Sequence, residues 1–407
     1  MTDSGQSMLY RRFGRTNLQM PVFSCGGMRY QHHWTDLPPS EVPKANQDNL
    51  EATIRRAVEL GINHIETARG YGSSERQLGQ ILPTFARDKL IVQTKIGPED
   101  DPDKFLAHFD ESLERLQLDY VDLLGLHGLN DQATLDKAIR KGGCLAAARK
   151  LQQQGKARHI GFSTHGSTDT IRQAIAHTGD GGFDYVNLHW YYIFQRNWSA
   201  VLEARQRDMG VFIISPSDKG GKLYDPPDEL VQLCEPLHPM VFNDLFCLAH
   251  PQVHTLSIGA ARPTDFDMHV KTLPLIEHAD HTLAPILARL REAMHEATGV
   301  DDPEAMSAGL PEWDAMPGQL NVAVMLWLRN LALGWGMTEY AKMRYNLLGN
   351  AGHWFPGGKP DNLQSVTDEA LIEAAGDSPW AQQIPDMLRE SVDLLRGEEV
   401  QRASKGG

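Results

Sequence analysis

Four side chains that can donate, accept or stabilise a proton follow three successive apolar runs of the sequence. Glu66 ends the first run, and Tyr71 lies five residues later between two glycines. Lys95 ends the second run, and His127 follows the third. Loops that follow strands hold the chemistry of α/β folds, so parallel strands at these runs would bring the four residues to one site.

Such a set suits the reduction of a carbonyl group, which needs a hydride at carbon and a proton at oxygen. Tyrosine donates a proton reluctantly at neutral pH because its ordinary pKa is about 10. A neighbouring ammonium stabilises the tyrosinate and lowers that pKa. A carboxylate keeps the ammonium charged and fixed, and a histidine orients the substrate oxygen. Taken singly, each residue has an ordinary alternative, as a packed loop tyrosine, a rim lysine or a satisfied histidine.

The apolar runs recur eight times and alternate with segments of helical spacing. They cover residues 22–25, 62–66, 90–96, 120–126, 157–162, 185–188, 211–214 and 254–258. Strict alternation predicts parallel strands, and eight of them over about 250 residues predict a (β/α)8 TIM barrel. The alternative is an open doubly wound sheet. That fold needs a glycine-rich phosphate turn after the first strand, whereas Gly26 and Gly27 are followed by a long loop.

The two ends of the chain predict further elements. Residues 8–13 and 22–25 flank a turn at 14–17, which predicts an N-terminal β-hairpin. Strand alternation stops near residue 280, and the later segments have helical spacing at 283–297, 319–349, 367–375 and 380–396. The predicted organisation is a barrel over residues 1–280 and a helical C-terminal extension over residues 281–407.

The charge and the cysteine spacing of the chain indicate which binding partners and metal sites are unfavourable. The net charge of −14, from 39 basic and 53 acidic residues, is unfavourable for binding nucleic acid or an anionic membrane. None of the four cysteines stands at CxxC spacing, so no metal or disulfide framework is predicted. The N-terminus has no basic or apolar leader, which predicts a cytoplasmic protein. His165 and His189 lack metal-ligand spacing and are expected to be packed or solvated.

Residues 66–75, Glu-Thr-Ala-Arg-Gly-Tyr-Gly-Ser-Ser-Glu, resemble the Asp-Thr-Ala-x-x-Tyr-Gly-x-Ser-Glu motif of the aldo-keto reductases, with Glu66 in place of aspartate. The resemblance extends over roughly residues 8–275. It implies a TIM barrel that reduces an aldehyde or ketone, a small-molecule carbonyl substrate, with a nicotinamide cofactor. It also implies Tyr71 as proton donor, Lys95 as the group that tunes it, His127 as the orienting histidine and Glu66 as the partner of the lysine.

The same resemblance implies a cofactor site along the strand ends. Its implied residues are Met28, Ser163, Asn187, Ser215, Gly259 and Arg262. Thr164 stands where the family has an amide, and Asn187 stands where it has a glutamine. Arg262 favours NADP because a guanidinium pairs bidentately with a 2′-phosphate, and NAD is the alternative because Asp265 would repel that phosphate.

Some relatives with such an extension carry four cysteines for an iron–sulfur cluster, but no cysteine follows Cys247 here. We therefore expect no cluster. Two other functions stay open at this stage. One is a non-catalytic nicotinamide-binding sensor or regulatory subunit, in keeping with Glu66 and the altered adenosine site. The other is a lyase or aldolase that uses Lys95 as a Schiff-base nucleophile.

Overall fold

A short antiparallel hairpin precedes the barrel in the computed structural model, which describes residues 7–350 and 355–398. Strand β1 (Tyr10–Arg12) pairs with β2 (Gln19–Pro21). The predicted hairpin is therefore present, but the prediction of 22–25 as its second strand is wrong. Val22 lies between β2 and the first barrel strand and explains the error, because it hydrogen-bonds in both directions: its N–H donates to Leu9 O at 2.9 Å, and its carbonyl accepts from Leu256 N at 3.0 Å.

Eight parallel strands then close into a barrel, in which each strand pairs with the next one along the chain and the last pairs with the first. This confirms the predicted (β/α)8 TIM barrel. The strands lie close to the eight apolar runs of the sequence. They are β3 (Phe23–Gly26), β4 (His64–Glu66), β5 (Ile91–Ile96), β6 (Val121–His127), β7 (Ala157–Ser163), β8 (Tyr185–Leu188), β9 (Gly210–Ile213) and β10 (Thr255–Ile258).

Helices surround the barrel. They are α1 (Lys44–Glu59), α2 (Ser74–Ile81), α3 (Pro102–Leu116), α4 (Gln132–Ile139), α5 (Cys144–Gln153), α6 (Thr168–Ala176), α7 (Trp198–Gln206), α8 (Asp228–Cys234), α9 (Pro239–Ala249) and α10 (Phe266–His269). Helices α4 and α5 are separated by a turn. Gly142 has a positive φ of 71°, and a Cβ atom on Gly143 would lie 2.7 Å from Lys137 O, so the chain turns sharply there.

Phe13, in the turn of the N-terminal hairpin, closes the end of the barrel at which the strands begin. Phe13 packs inside the barrel beside Tyr185, with ring centroids 5.8 Å apart, and both belong to a buried cluster with Phe212. A Cβ atom on Gly210 would lie 2.6 Å from Phe13 Cζ, so the backbone of β9 makes room for this ring. The open mouth of the barrel is therefore at the carboxyl ends of its strands.

Five further α-helices follow the barrel among the described residues. They are α11 (Ala279–Thr298), α12 (Val322–Trp335), α13 (Thr338–Tyr345), α14 (Asp368–Ala375) and α15 (Ile384–Leu395). The predicted helix over 319–349 is two helices, because Gly336 ends α12 with a φ of 64°. None of the described helices has the length and apolar composition needed to cross a membrane.

Helix α12 is apolar on nearly all sides and almost wholly buried. Its Trp327 Nε1 donates to Ile193 O at 2.7 Å, in the loop after β8, and its Trp335 Nε1 donates to Leu290 O at 2.8 Å, in α11. The extension therefore packs against the mouth side of the barrel. The division of the chain into domains at residue 280 stays a prediction, and residues 351–354 and 399–407 of the predicted extension lie outside the described part.

Candidate active site

A cavity of about 1070 Å³ opens at the carboxyl ends of the barrel strands. All four predicted catalytic residues line it: Glu66, Tyr71, Lys95 and His127. Five of the six predicted cofactor residues also line it: Met28, Ser163, Ser215, Gly259 and Arg262. Asn187 is the exception and lies deeper in the barrel. The structure thus brings the predicted residues to one site, although their roles stay proposals.

Lys95 and Glu66 form a buried ion pair on neighbouring strands. Lys95 Nζ contacts Glu66 Oε1 and also donates to Thr67 O at 2.8 Å. Only 2% of the Lys95 side chain and 5% of the Glu66 side chain are exposed to solvent. Burial lowers the pKa of the Lys95 ammonium well below its ordinary value. The Glu66 carboxylate opposes this shift, so the charge on Lys95 depends on Glu66.

Two glycines lie opposite the residues of this pair on the adjacent strands. Gly26 pairs with Glu66 between β3 and β4, and a Cβ atom there would lie 3.4 Å from Glu66 Oε2 and 2.6 Å from Ser257 Oγ. Gly125 pairs with Lys95 between β5 and β6, and a Cβ atom there would lie 3.0 Å from Lys95 Cγ. The absence of a side chain at Gly125 therefore leaves room for Lys95. At Gly26 the close approach is to Ser257, and the distance to Glu66 is an ordinary van der Waals contact.

Tyr71 lies between the ion pair and His127. Lys95 Nζ is 4.7 Å from the centroid of the Tyr71 ring, which is a cation–π distance. The rings of Tyr71 and His127 meet edge to face at 5.7 Å, and Trp34 meets Tyr71 in the same manner at 6.5 Å. Tyr71 is thereby held between a cation and two aromatic groups.

The pKa of Tyr71 moves in the direction opposite to the sequence-based expectation. Burial raises it above the ordinary value of a phenol. The Lys95 ammonium lies over the face of the ring. Its attraction for a tyrosinate does not compensate for the loss of hydration of the phenolate, so the pKa is raised. A raised pKa keeps the phenol protonated at neutral pH, which is the form that can donate a proton.

A tight turn positions Tyr71. Tyr71 N donates to Ala68 O at 2.9 Å, and the next residue, Gly72, has a φ of 52°. A Cβ atom on Gly72 would lie 1.9 Å from His33 O, so only glycine allows the loop that carries Trp34 to approach this closely. The glycine after the tyrosine is therefore a structural requirement of the site.

At the predicted carboxamide site, the Thr164 hydroxyl donates a hydrogen bond within the protein, whereas the Asn187 amide has no hydrogen-bond partner among the described residues. Thr164 Oγ1 donates to Leu129 O at 2.7 Å, so this hydroxyl is already used within the loop. Asn187 is fully buried, and neither its Oδ1 nor its Nδ2 has a hydrogen-bond partner among the described residues. Side chains alternate along a strand, so Asn187 points into the barrel like Tyr185 but one layer nearer the mouth. It is adjacent to Ser163 in the register of β7 and β8.

At the predicted adenosine end, Arg262 and Asp265 bind each other. Arg262 Nε donates to Asp265 Oδ1 at 3.1 Å, and Asp265 Oδ2 accepts from Ala261 N at 2.8 Å. The Arg262 side chain is 73% exposed, which makes such an ion pair weak. Asp265 therefore competes with any phosphate for Arg262 and also fixes the backbone of the loop.

The sequence analysis did not identify several residues of the cavity wall. Lys219 and His165 line the cavity, and so do Arg344 and nearby apolar residues of the C-terminal extension. Arg344 Nη2, on α13, donates to Asp218 Oδ2 at 2.9 Å. No local pattern in the sequence indicates these positions, because each reaches the site through a tertiary contact.

The described part of the chain contains no cluster of side chains that could bind a metal ion. Among residues 7–350 and 355–398, no group of three or more histidine, cysteine, aspartate or glutamate side chains is arranged to hold an ion. The four cysteines are buried free thiols.

Residues 23–221 match the model of the Aldo/keto reductase family, a shorter stretch than the predicted 8–275. The chain is similar to L-galactose dehydrogenase of Arabidopsis thaliana, with 34% identity over 180 residues, 42% of this chain and 55% of that protein. It is also similar to L-glyceraldehyde 3-phosphate reductase of Escherichia coli strain K12, with 30% identity over 174 residues, 39% of this chain and 46% of that protein. The chain thus spans about half the length of these curated relatives.

Solved structures share the fold. An aldo-keto reductase from Klebsiella pneumoniae in complex with NADPH superposes with a TM-score of 0.55 at 20% identity, covering 69% of this chain and 96% of that one. The holo form of an aldo-keto reductase from Bacillus halodurans superposes with a TM-score of 0.54 at 20% identity, covering 68% and 96%. At this identity the similarity concerns the barrel architecture.

Proposed function

The chain belongs to the aldo-keto reductase family, and from that premise we propose that it is an NAD(P)H-dependent oxidoreductase that reduces an aldehyde or ketone to an alcohol. The observation that carries this proposal is the buried Lys95–Glu66 pair beside Tyr71 and His127 at one cavity wall. The reductase of Escherichia coli and the NADPH complex from Klebsiella pneumoniae support the same reaction and cofactor.

The residues of the cavity, together with Asn187 deeper in the barrel, fit a nicotinamide cofactor. When bound, the cofactor supplies a hydride to the carbonyl carbon. The Asn187 amide has a donor and an acceptor without partners among the described residues, and a carboxamide group satisfies both. Ser163 on the adjacent strand offers a hydroxyl at the cavity surface. We assign Asn187 and Ser163 to the nicotinamide end, and Ser215, Gly259, Met28 and Arg262 to the remainder of an NADPH site.

Tyr71 is the proton donor in this proposal. Its O–H bond breaks as the carbonyl oxygen takes the proton, while the carbonyl carbon takes the hydride, so the product is a neutral alcohol. The tyrosinate that remains is stabilised by the Lys95 ammonium, which Glu66 and Thr67 O hold in place. Solvent at the cavity mouth then returns a proton to Tyr71.

His127 orients the substrate in this proposal. It follows directly from β6, lines the cavity and meets the Tyr71 ring edge to face. An imidazole beside the phenol can donate a hydrogen bond to the same carbonyl oxygen, which fixes that oxygen near the proton donor. His127 also polarises the carbonyl and thereby favours hydride addition at its carbon.

The test uses the 407-residue protein, NADPH and a panel of aldehydes and ketones, with loss of NADPH absorbance as the readout. The wild-type protein should consume NADPH, and Tyr71→Phe should lower kcat/KM by about 10²–10⁴-fold, the usual contribution of a general acid. NADPH affinity, measured by fluorescence titration, should be retained. NADPH binding without turnover of any carbonyl would favour the sensor function, and borohydride trapping of a carbonyl compound on Lys95 would favour the Schiff-base enzyme.

A further inference from the structure

Three basic side chains from different loops meet beside the cavity; we call His165, His189 and Lys219 the basic cluster. His165 Nδ1 lies 2.5 Å from His189 Nε2, and the two rings stack with centroids 4.7 Å apart. Lys219 Nζ lies 3.2 Å from His165 Nδ1 and 3.4 Å from His189 Nε2. The three loops follow β7, β8 and β9, so the cluster joins neighbouring strand ends.

The basic cluster is held on each side. His165 N donates to Asn130 Oδ1 at 2.7 Å. His189 is 1% exposed, and its Nδ1 lies 3.0 Å from the Tyr191 hydroxyl. His165 and Lys219 line the same cavity as Tyr71, whereas His189 supports them from behind. The arrangement therefore presents one imidazole and one ammonium to the cavity in fixed positions.

The C-terminal extension fixes the loop that carries Lys219. Tyr340 O–H donates to Lys219 O at 2.5 Å. Arg344 Nη2 donates to Asp218 Oδ2 at 2.9 Å, at the residue before Lys219. Both tyrosine and arginine lie on α13 and are more than nine-tenths buried. The extension thus positions Lys219 through two contacts with its loop.

We propose that His165 and Lys219 bind an anionic group of the substrate, so that the protein reduces carbonyl compounds carrying a carboxylate or a phosphate. An ammonium and an imidazole at a fixed spacing form charge-assisted hydrogen bonds to such a group. This inference rests on the proposed reductase function, because the anionic group that binds His165 and Lys219 belongs to the same substrate whose carbonyl is reduced beside Tyr71.

The kinetic test compares matched substrates: glyceraldehyde 3-phosphate with glyceraldehyde, and 4-carboxybenzaldehyde with benzaldehyde. Wild-type protein should have the higher kcat/KM for the anionic member of each pair. Lys219→Met should lower the ratio of anionic to neutral kcat/KM by about 10- to 100-fold, mainly through KM, as expected for the loss of a hydrogen bond to a charged group. Lys222→Met is the matched control, because it removes a cation from the same loop outside the cavity wall and should keep the ratio.

Tyr340→Phe tests the positioning role of the extension. It removes only the hydroxyl that donates to Lys219 O, so KM for the anionic substrates should rise while kcat changes little. An equal loss for anionic and neutral substrates in both Lys219→Met and Tyr340→Phe would overturn the proposal. So would a loss of NADPH affinity in Lys219→Met with an unchanged substrate ratio, because the cluster would then bind the cofactor pyrophosphate.

A binding measurement separates this inference from the proposed function. Inorganic phosphate is titrated calorimetrically into wild-type and Lys219→Met protein, each without cofactor and again when saturated with NADP+. Phosphate binding that is lost in Lys219→Met supports the anion site, even if no carbonyl is reduced and the reductase function fails. Phosphate binding that disappears once NADP+ is bound would overturn the inference while leaving the reductase function intact.

Discussion

Gly125 lies directly opposite Lys95 in the register of β5 and β6, and a Cβ atom on Gly125 would lie 3.0 Å from Lys95 Cγ. The position of Lys95, which is proposed to stabilise the Tyr71 tyrosinate, therefore depends on the absence of a side chain at Gly125. The same added atom would lie 3.4 Å from the Tyr185 hydroxyl, so it has no open space on either side.

Gly125→Ala should displace the Lys95 ammonium from Glu66 and from the Tyr71 ring. Misplacement of a catalytic group by about 1 Å costs about 10²-fold in rate; the 3.0 Å contact requires a shift of a few tenths of an ångström, so we expect a loss of about tenfold or less in kcat. NADPH affinity should be retained. Gly97→Ala is the control, because a Cβ atom there meets nothing within 4 Å. Wild-type kcat in a folded Gly125→Ala protein would show that the position of Lys95 does not limit the reaction.

Glu66 should be replaceable by aspartate but not by glutamine. Glu66→Asp keeps the carboxylate beside Lys95 and should retain or raise reductase activity. Glu66→Gln leaves a buried ammonium without its counter-charge, which destabilises a protein by about 3–5 kcal/mol unless the lysine loses its proton. Either outcome lowers activity, because an uncharged lysine no longer stabilises the tyrosinate.

Urea denaturation and steady-state kinetics of both Glu66 variants provide the check. A Glu66→Asp protein that is folded and binds NADPH but has no activity would assign Glu66 a role of its own, for example as a base in the pocket. Unchanged stability and activity in Glu66→Gln would show that the ion pair does not control the charge of Lys95.

Asn187→Leu should stabilise the cofactor-free protein and weaken NADPH binding. A buried amide without hydrogen-bond partners costs about 1–3 kcal/mol, and an apolar side chain of similar shape removes that cost. Asn243→Leu is the matched control: its Oδ1 accepts from Tyr192 N at 3.2 Å and its Nδ2 donates to Pro216 O at 3.3 Å, so this variant should be less stable. Chemical denaturation and NADPH titration of both variants measure these effects. Equal destabilisation in the two variants would mean that the Asn187 amide is satisfied before the cofactor binds.

The barrel and the location of the four catalytic candidates could be predicted from the sequence because both depend on local patterns. Lys95 stands at the end of an apolar run, and a run that forms a barrel strand ends at the mouth. The second hairpin strand was misplaced because Val22 continues an apolar run through the change of sheet. Apolar character marks burial, but it does not indicate which neighbouring strand the backbone pairs with.

The basic cluster could not be predicted because its members come from separate loops. His165 and His189 were expected to be packed or solvated, and nothing near Lys219 in the sequence indicates that its ammonium reaches two imidazoles. The contribution of Tyr340 depends on how α13 folds back over the barrel mouth. Contacts of this kind are set by tertiary packing and have no periodicity that a sequence could show.

The choice between NADPH and NADH should respond to Asp265 more than to Arg262. Asp265 accepts from Arg262 and from the backbone of Ala261, so it neutralises the guanidinium that a 2′-phosphate would use. Asp265→Asn keeps an oxygen for Ala261 N and removes the negative charge. This variant should raise the preference for NADPH over NADH, whereas Arg262→Ala should lower it.

Fluorescence titration of both cofactors with wild-type protein and the two variants gives the ratio of dissociation constants. The ratio should move in opposite directions in the two variants. Because an exposed ion pair contributes about 1 kcal/mol or less, we expect a change of about fivefold or less for Arg262→Ala. Arg56→Ala, which removes an exposed arginine paired with Asp267, is the control for a general charge effect and should keep the ratio. A ratio that stays constant in Asp265→Asn and Arg262→Ala would remove both residues from the adenosine site.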